Sequence, residues 1–323
     1  MSFVVRRLGS GVVVMALVSL VSWLVFASAL NPLSVFFPKF TSPPALAAAA
    51  RGHLHDPLIV RYWLWLAGLF SGQGFGHTVA DNAPVGPLVV PALARSLELM
   101  VYALILAVAL SVLVCALTTR RRGSVGDIGL RAGTYLAASV PAFLAALLIQ
   151  GGFLAAAKAS HTNVFASSGP PTAGLGLDLH ALTDWFQHMT LPALAMAVGL
   201  AGLYSRYLRS ALLATLGEPY VQVARAKGLP ERTVRLRHAL RTALTPFVAA
   251  VAFDFGTVVG VSLAADYVFQ LNGLASVFLN RGLFSGDPNV IEAEIVVSAA
   301  LVVCAGIVGD LVCARLDPRI RSG

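Results

Sequence analysis

Residues 220–246 read Tyr-Val-Gln-Val-Ala-Arg-Ala-Lys-Gly-Leu-Pro-Glu-Arg-Thr-Val-Arg-Leu-Arg-His-Ala-Leu-Arg-Thr-Ala-Leu-Thr-Pro. This basic stretch lies between two strongly apolar ones, and in a membrane protein such a loop is where a soluble partner can grip. Tyr220 to Leu229 favours helix, with Ala224, Ala226 and Lys227 as good formers. Val221, Ala224 and Gly228 recur at three- and four-residue spacing and make one face of small residues, which lets another backbone approach closely. Gly228 frees the chain to bend, and Pro230 suits the first turn of a second helix, with Glu231 at its positive end. That helix sets Thr233, Leu236, Leu240 and Leu244 on one side and Arg232, Arg235 and Arg241 on another. The expectation is two helices joined by a kink, basic outside and small or apolar inside. An amphipathic helix lying on anionic lipid would share the basic face. Lipid contact, however, requires neither small residues nor a glycine at fixed spacing.

The rest of the chain says what the loop is attached to. Of 323 residues 57% are hydrophobic and 12% charged, where a soluble domain carries about a quarter charged residues. The chain therefore reads as an all-α polytopic membrane protein. A span needs roughly 20 apolar residues. Six stretches qualify, at about 11–30, 97–117, 132–156, 190–208, 243–265 and 293–314. Lys39, Arg51, Arg61, Arg95, Lys158 and Arg281 fall on one side of this arrangement, and the other 17 of the 23 basic residues on the opposite side. Both termini are then expected in the cytoplasm. The net charge of +8 is concentrated in inter-span loops, which points away from nucleic acid as a partner. Cys115, Cys304 and Cys313 lie in or beside apolar spans and give no disulfide framework. Arg6-Arg7, an apolar run and Ala27-Ser28-Ala29 imitate a cleavable signal. The run from Val12 to Leu30 is long enough to span, so it is read as the first transmembrane helix.

Residues 1–30 thus form an N-terminal helix, 31–94 an extracytoplasmic region, and 95–323 a core of five spans with the cytoplasmic loop at about 215–242. The external region opens with Pro32, Pro38, Pro43 and Pro44, and Leu58 to Leu69 is expected as a short interfacial helix. Gly72-Gln73-Gly74-Phe75-Gly76 has no preceding strand and reads as a tight turn rather than a phosphate cradle. Further external loops are expected at about 157–189 and 266–292. The sequence shows no internal repeat and no stretch fit for an independent soluble domain.

Catalytic signatures are missing. The three lysines, at 39, 158 and 227, are followed by Phe40, Ala159 and Gly228, so no phosphate-binding Gly-x-x-x-x-Gly-Lys-[Ser/Thr] loop exists. Any ATP used is hydrolysed by another polypeptide. No His-Glu-x-x-His and no Gly-x-Ser-x-Gly occur. His53, His55 and Asp56 lack a third ligand at useful spacing, so no metal site is expected.

Ala224-x-x-x-Gly228 followed by Leu244-x-Pro246 resembles the EAA loop of membrane permeases from ABC-type importers. The wording from Tyr220 to Leu229 and from Arg237 to Arg241 is similar to the oligopeptide/dipeptide branch. Similar phrases run along nearly the whole chain: Arg6-Arg7-Leu8, Arg95-Ser96-Leu97-Glu98-Leu99, Ser139-Val140-Pro141-Ala142-Phe143, Leu191-Pro192-Ala193, Arg206-Tyr207-Leu208-Arg209-Ser210 and Asp317-Pro318-Arg319-Ile320-Arg321. At the third external loop the family often has Glu and then Trp-Pro-Gly. Here Asp266 and Leu271-Asn272-Gly273 stand instead.

The resemblance implies a type I ABC importer permease of a bacterial plasma membrane. It pairs with a second permease, two ATPases that use ATP and magnesium, and an extracytoplasmic peptide-binding protein, and it binds no cofactor itself. Tyr220, Ala224, Arg225, Ala226, Lys227, Gly228 and Leu229 would couple to the ATPases, with the face of Ala224 and Gly228 in a groove and Arg225 and Lys227 against carboxylates. Nickel or glutathione are alternative cargoes, which relatives carry. Glu98, Asp254, Glu294 and Asp310 fall at or near membrane depth, where ionisable groups are costly and commonly functional. Asp254, near the middle of span five, either lines the pathway or is satisfied by a serine or threonine on a neighbouring helix. A secondary transporter driven by an ion gradient through Asp254 and Glu98 is the alternative class. Pro141, Pro192 and Pro246 are expected to kink their spans.

Overall fold

A computed structural model describes residues 2–29, 47, 50, 53–71, 74–79, 81–120, 123–162, 164–172 and 178–316. Pro32 to Pro44, Arg51, Gly72-Gln73, Arg121, Arg122 and the ending Asp317 to Arg321 lie outside the described residues. In chain order the helices are α1 Ser2–Ala29, α2 Leu58–Phe70, α3 Gly86–Arg120, α4 Val125–Ser139, α5 Ala142–Ser160, α6 Leu179–Leu216, α7 Pro219–Ala226, α8 Glu231–Phe253 and α9 Phe255–Phe269. α10 follows as Leu274–Ser276 running into the π-helical turn Val277–Leu283, and α11 is Pro288–Leu316. Among the described residues there is no strand, only an isolated bridge between His77 and Pro84. In hydrocarbon a helix satisfies its own backbone, which is why apolar sequence of this length folds so.

Among the described residues five helices are long and apolar enough to cross a membrane: Arg7–Phe26, Gly86–Thr119, Ala142–Ser160, Leu179–Leu216 and Pro288–Val312. α8 and α9 meet at an angle of 55° and make a sixth crossing when taken together. The expected boundaries need two corrections. The stretch 132–156 is not one helix, because Pro141 is the N-cap of α5 and Val140 is extended (φ −76°, ψ 125°). A residue before proline is driven out of the α region, so α4 stops there. The stretch 243–265 is likewise broken, at Asp254 and not at Pro246, which sits inside α8. Pro192 sits within an uninterrupted α6.

The chain divides into two compact units. The first comprises Met1–Glu98 and Gln270–Val303. In it Trp23 of α1 packs on Tyr62 and Trp65 of α2, and Trp23 Nε1 donates to the Leu58 carbonyl at 3.1 Å. Trp63 and Phe70 on the other face of α2 stay exposed. Ser22 Oγ donates to Glu292 Oε2 of α11 at 2.7 Å. Asp287, before α11, accepts the backbone N–H groups of Val79 (2.6 Å) and Asn289 (3.0 Å), which ties the external turn to the helix start. Gly74 (φ +63°) and Gly76 (φ +79°) both need the left-handed region, as a tight turn requires.

The second unit comprises Leu99–Phe269 and Cys304–Gly323. α6 is its centre, with α4, α5, α8 and α9 packed on it. The third external loop begins later than expected, since Asp266 is a buried residue of α9. α4 and α6 approach closely at Gly202: a Cβ there would lie 2.6 Å from the Thr134 carbonyl oxygen and 3.1 Å from the Ala138 nitrogen. Backbone atoms cannot yield as side chains do. Gly202→Val is expected to destabilise the fold by about 1–3 kcal/mol, from overpacking. Thermal unfolding of the purified chain checks this, with Gly260→Ala, whose Cβ would meet nothing within 4 Å, unchanged beside it.

Candidate functional site: a clamped hairpin and a broken helix

α6 ends at Leu216, and α7 starts one turn later with Pro219 at its first position. Gly228 follows in the left-handed region (φ +76°), then Pro230 in extended conformation (ψ 140°) sends the chain back as α8. Of the three residues of the expected small face, Gly228 is exposed and the other two are not. Val221 and Ala224 are buried against Val234 of α8, with Leu216 packed beside them. The close approach that small residues permit is therefore made by the chain's own next helix. What α7 turns outward is Tyr220, Val223 and Lys227, with Gln222 and Ala226 also exposed. Leu229 is 38% exposed.

Arg225 is likewise engaged within the chain. Its Nε donates to Glu231 Oε2 at 3.1 Å and Nη2 to Oε1 at 2.9 Å, a two-pronged grip across the turn. Arg235 Nε adds a bond to Glu231 Oε1 at 3.3 Å, and its Nη1 reaches the Thr119 carbonyl of α3 at 3.2 Å. The Arg225 guanidinium, then Arg235, holds the Glu231 carboxyl below the usual carboxylate range, and Glu231 raises Arg225 in return. Tyr220 Oη donates to Thr242 Oγ1 at 3.0 Å. Among the described residues, Lys227 thus remains as the cation of the expected coupling set that forms no ion pair.

The face of α8 also departs from expectation. Val234–Ala239 is π-helical, closed by the Leu240 N–H donating to the Arg235 carbonyl. Its buried residues are Val234, Ala239, Ala243, Phe247 and Val251, spaced first by five and then by four. The expected set Thr233, Leu236, Leu240 and Leu244 assumed 3.6 residues per turn throughout, and the wide turn rotates it away. Leu236 is 50% exposed and with Leu240 lines a cavity of about 600 Å³ beside Val112 and Cys115.

Asp254 occupies the 55° break between α8 and α9. Its N–H still reaches the carbonyls of Ala250 (3.1 Å) and Val251 (3.3 Å), and φ −85°, ψ 6° place it in the bridge region. Tyr204 of α6, fully buried and edge-on to Phe247, is its electrostatic neighbour. Neither the Tyr204 hydroxyl nor Asp254 Oδ2, both shielded from solvent, closes a hydrogen bond of ordinary length. Tyr204 and Asp254 are thus close enough to interact electrostatically, while these two atoms have no partner within ordinary hydrogen-bond distance among the described residues. Glu98 falls in the other unit, Glu294 bonds Ser298 at 2.7 Å, and Asp310 is buried. Among the described residues no group of three His, Cys, Asp or Glu is placed to hold a metal; His53 Nδ1 instead meets Asp56 at 3.1 Å.

Sequence reasoning missed Val223, the Arg225–Glu231 grip and Tyr204. Tyr220, Val223 and Lys227 do carry a signal, at three- and four-residue spacing. Glu231 lies six residues after Arg225, across a turn already marked by Gly228 and Pro230, and this too was readable. For Tyr204 the sequence carries no such mark.

Among the described residues, five apolar helices and the bent pair α8–α9, with no strand, and a clamped basic hairpin beside them define a polytopic membrane protein. Residues 107–322 match the family described as "Binding-protein-dependent transport system inner membrane component", and residues 1–111 match its partner description, "Binding-prot-dependent transport system membrane comp, N-term". The chain belongs to this family. It is similar to the oligopeptide transport system permease protein OppB of Mycobacterium tuberculosis (strain ATCC 25618 / H37Rv), at 31% identity over 99% of this chain and 98% of that protein. The oligopeptide transport system permease protein AppB of Bacillus subtilis (strain 168) is 28% identical over 99% of both. A crystal structure of an amino acid ABC transporter with histidines shares the fold at TM-score 0.50 and 14% identity, over 72% of this chain and 94% of that one.

Gly228 is needed for its backbone and not for space, since a Cβ there would meet nothing within 4 Å. Gly228→Asn is therefore expected to keep the hairpin closed, while Gly228→Val costs about 1–2 kcal/mol. Hydrogen exchange of the α7 amides reads the difference.

Proposed function

We propose that this chain is one of two permease subunits of an ATP-driven importer that carries peptides across a bacterial plasma membrane, with both termini cytoplasmic. Support for the peptide cargo comes from relatives, called oligopeptide or dipeptide permeases, that match it from end to end. The observation that carries the mechanism is the outward face of α7, presented by a hairpin whose inner face and charges are already used. Of the two ATPase subunits, which supply the ATP and magnesium chemistry, one docks on Tyr220, Val223 and Lys227. Ala224, Arg225, Ala226, Gly228 and Leu229 hold that face in shape. A second permease completes the pathway, and an extracytoplasmic binding protein delivers the cargo.

When the ATPases close, the hairpin moves as one body. α8, α9 and α6 then exchange between two packings biased by nucleotide. A charge on the docking face breaks this chain of contacts without touching the fold. Val223→Glu is expected to lower peptide uptake by at least about tenfold, through a lost contact of 1.4 kcal/mol or more. Expression and thermal stability should match the parent, because Val223 is 54% exposed. Full uptake by this variant in a reconstituted importer would refute docking at this face.

Asp254 is proposed to meet the peptide amino group in the pathway. A charge-assisted hydrogen bond contributes about 1.5–3 kcal/mol. Asp254→Asn is therefore expected to raise the KM for peptides about tenfold or more, with much less change for N-acetylated ones. Equal shifts for both would assign Asp254 to structure. The unpartnered Asp254 oxygen also favours a second reading, transport driven by an ion gradient. Uptake by the purified chain alone in liposomes under a proton or sodium gradient would establish that reading, and its absence until ATPases are added supports the first.

A further inference from the structure

Away from the hairpin, α3, α4 and α6 enclose a cavity of about 240 Å³ whose wall includes Thr118, Arg131, Tyr135, Arg206, Arg209 and Ser210. Three guanidinium groups here face one carboxylate. Asp127, almost wholly buried, accepts from Arg209 Nη1 at 2.9 Å and Nη2 at 3.2 Å, and lies 3.5 Å from Arg131 Nε. It also takes the Gly123 N–H at 2.9 Å, so its acceptors are filled. Arg206 stacks over the Tyr135 ring at 4.9 Å and, among the described residues, forms no salt bridge to a carboxylate. Among the described residues, the three arginines of the wall share a single carboxylate, an excess of two positive charges.

The level of the cavity selects among anions. Counted from the start of the span expected at 190–208, Arg206 and Arg209 lie about 24 and 29 Å along α6, at the far edge of the roughly 30 Å of a hydrocarbon core. In the proposed orientation this edge borders the cytoplasmic headgroup layer. Tyr135 and Tyr207, both about half exposed, stand at that level as interfacial aromatics do. Leu117 and Leu136, 51% and 70% exposed, are the apolar residues of the same helices next to the cavity in sequence. Arginine offers planar, forked donors to phosphate oxygens, and aromatics beside it favour an amphiphile over a hydrated ion.

We propose that this cavity binds the phosphate headgroup of an anionic phospholipid, held by Arg131, Arg206 and the free edge of Arg209, with the acyl chains leaving along Leu117 and Leu136. Nothing in the coupling reading assigns these residues, and the proposal rests on it only for the sidedness.

Native mass spectrometry of the intact chain in detergent, with added phosphatidylglycerol or phosphatidylcholine, tests it. Retention of phosphatidylglycerol is expected to exceed that of phosphatidylcholine. With each basic group near a surface contributing about fivefold, Arg206→Gln should weaken the preference about fivefold and the double change with Arg131→Gln about thirtyfold. Arg209 is left in place because Asp127 depends on it. Should the double variant unfold, Arg206→Gln carries the comparison, since that side chain holds no ion pair. Unchanged retention in the variants overturns the site. Displacement of the lipid by inorganic phosphate at equal concentration overturns the lipid assignment in favour of a soluble anion. A failed peptide-uptake reading would leave this result untouched, because no transport is measured.

Discussion

Between Val234 and Ala239 the helix winds five residues per hydrogen-bonded turn, and the one residue this inserts decides which side chains of α8 meet what. Before the wide turn, Val234 closes on Val221 and Ala224 of α7. After it, Ala239, Ala243, Phe247 and Val251 form the buried row, with Phe247 set edge-on against Tyr204 of α6. An α-helix of constant pitch would have to choose one of these two faces. The π turn gives both, and so joins the hairpin and the long arm of α8 in one continuous element. Single-turn π segments recur at functional sites for this kind of reason: they re-aim a face without ending a helix.

Rigidity of the hairpin comes from packing more than from charge. The Arg225–Glu231 pair is about 40% exposed on both sides, and exposed ion pairs contribute only about 0–1 kcal/mol. The two-pronged geometry sets direction, fixing how α7 leans on α8. Val221 and Val234, both fully buried, supply the apolar area. Any force applied at Tyr220 or Val223 therefore passes into α8 through contacts with little slack. Arg235, bound to Glu231 on one side and to the Thr119 carbonyl on the other, carries part of it to α3.

Much of this was legible in residues. Apolar length and the distribution of arginine gave six crossings, and Gly228 with Pro230 gave the hairpin. Of the small face read at Val221, Ala224 and Gly228, the first two pack on Val234 of the chain's own α8, and Gly228 stays exposed. Spacing reports that a backbone comes near, not whose backbone it is. The π turn left no trace because Val-Arg-Leu-Arg-His-Ala obeys ordinary helical propensity; only packing on α6 selects it. The break at Asp254 was hidden for a related reason. Proline is the residue that sequence reading blames for a bend, but Pro246 lies inside α8, and the bend falls eight residues later at a non-proline position.

That break has a cost with a meaning. A buried polar atom without a partner costs about 1–3 kcal/mol, and Asp254 Oδ2 and the Tyr204 hydroxyl are two such atoms in adjoining helices. A structural pair would relax until the hydroxyl reached the carboxylate, as Ser298 reaches Glu294 at 2.7 Å in α11. The backbone at Asp254 is nearly satisfied, since its N–H still finds the carbonyls of Ala250 and Val251. The helix is therefore interrupted at little backbone expense while a side-chain acceptor is held open. Irregular backbone at membrane depth is tolerated where protein or a water-filled path surrounds it. Asp254 thus combines a broken helix whose backbone is nearly satisfied with a side-chain acceptor that has no partner among the described residues.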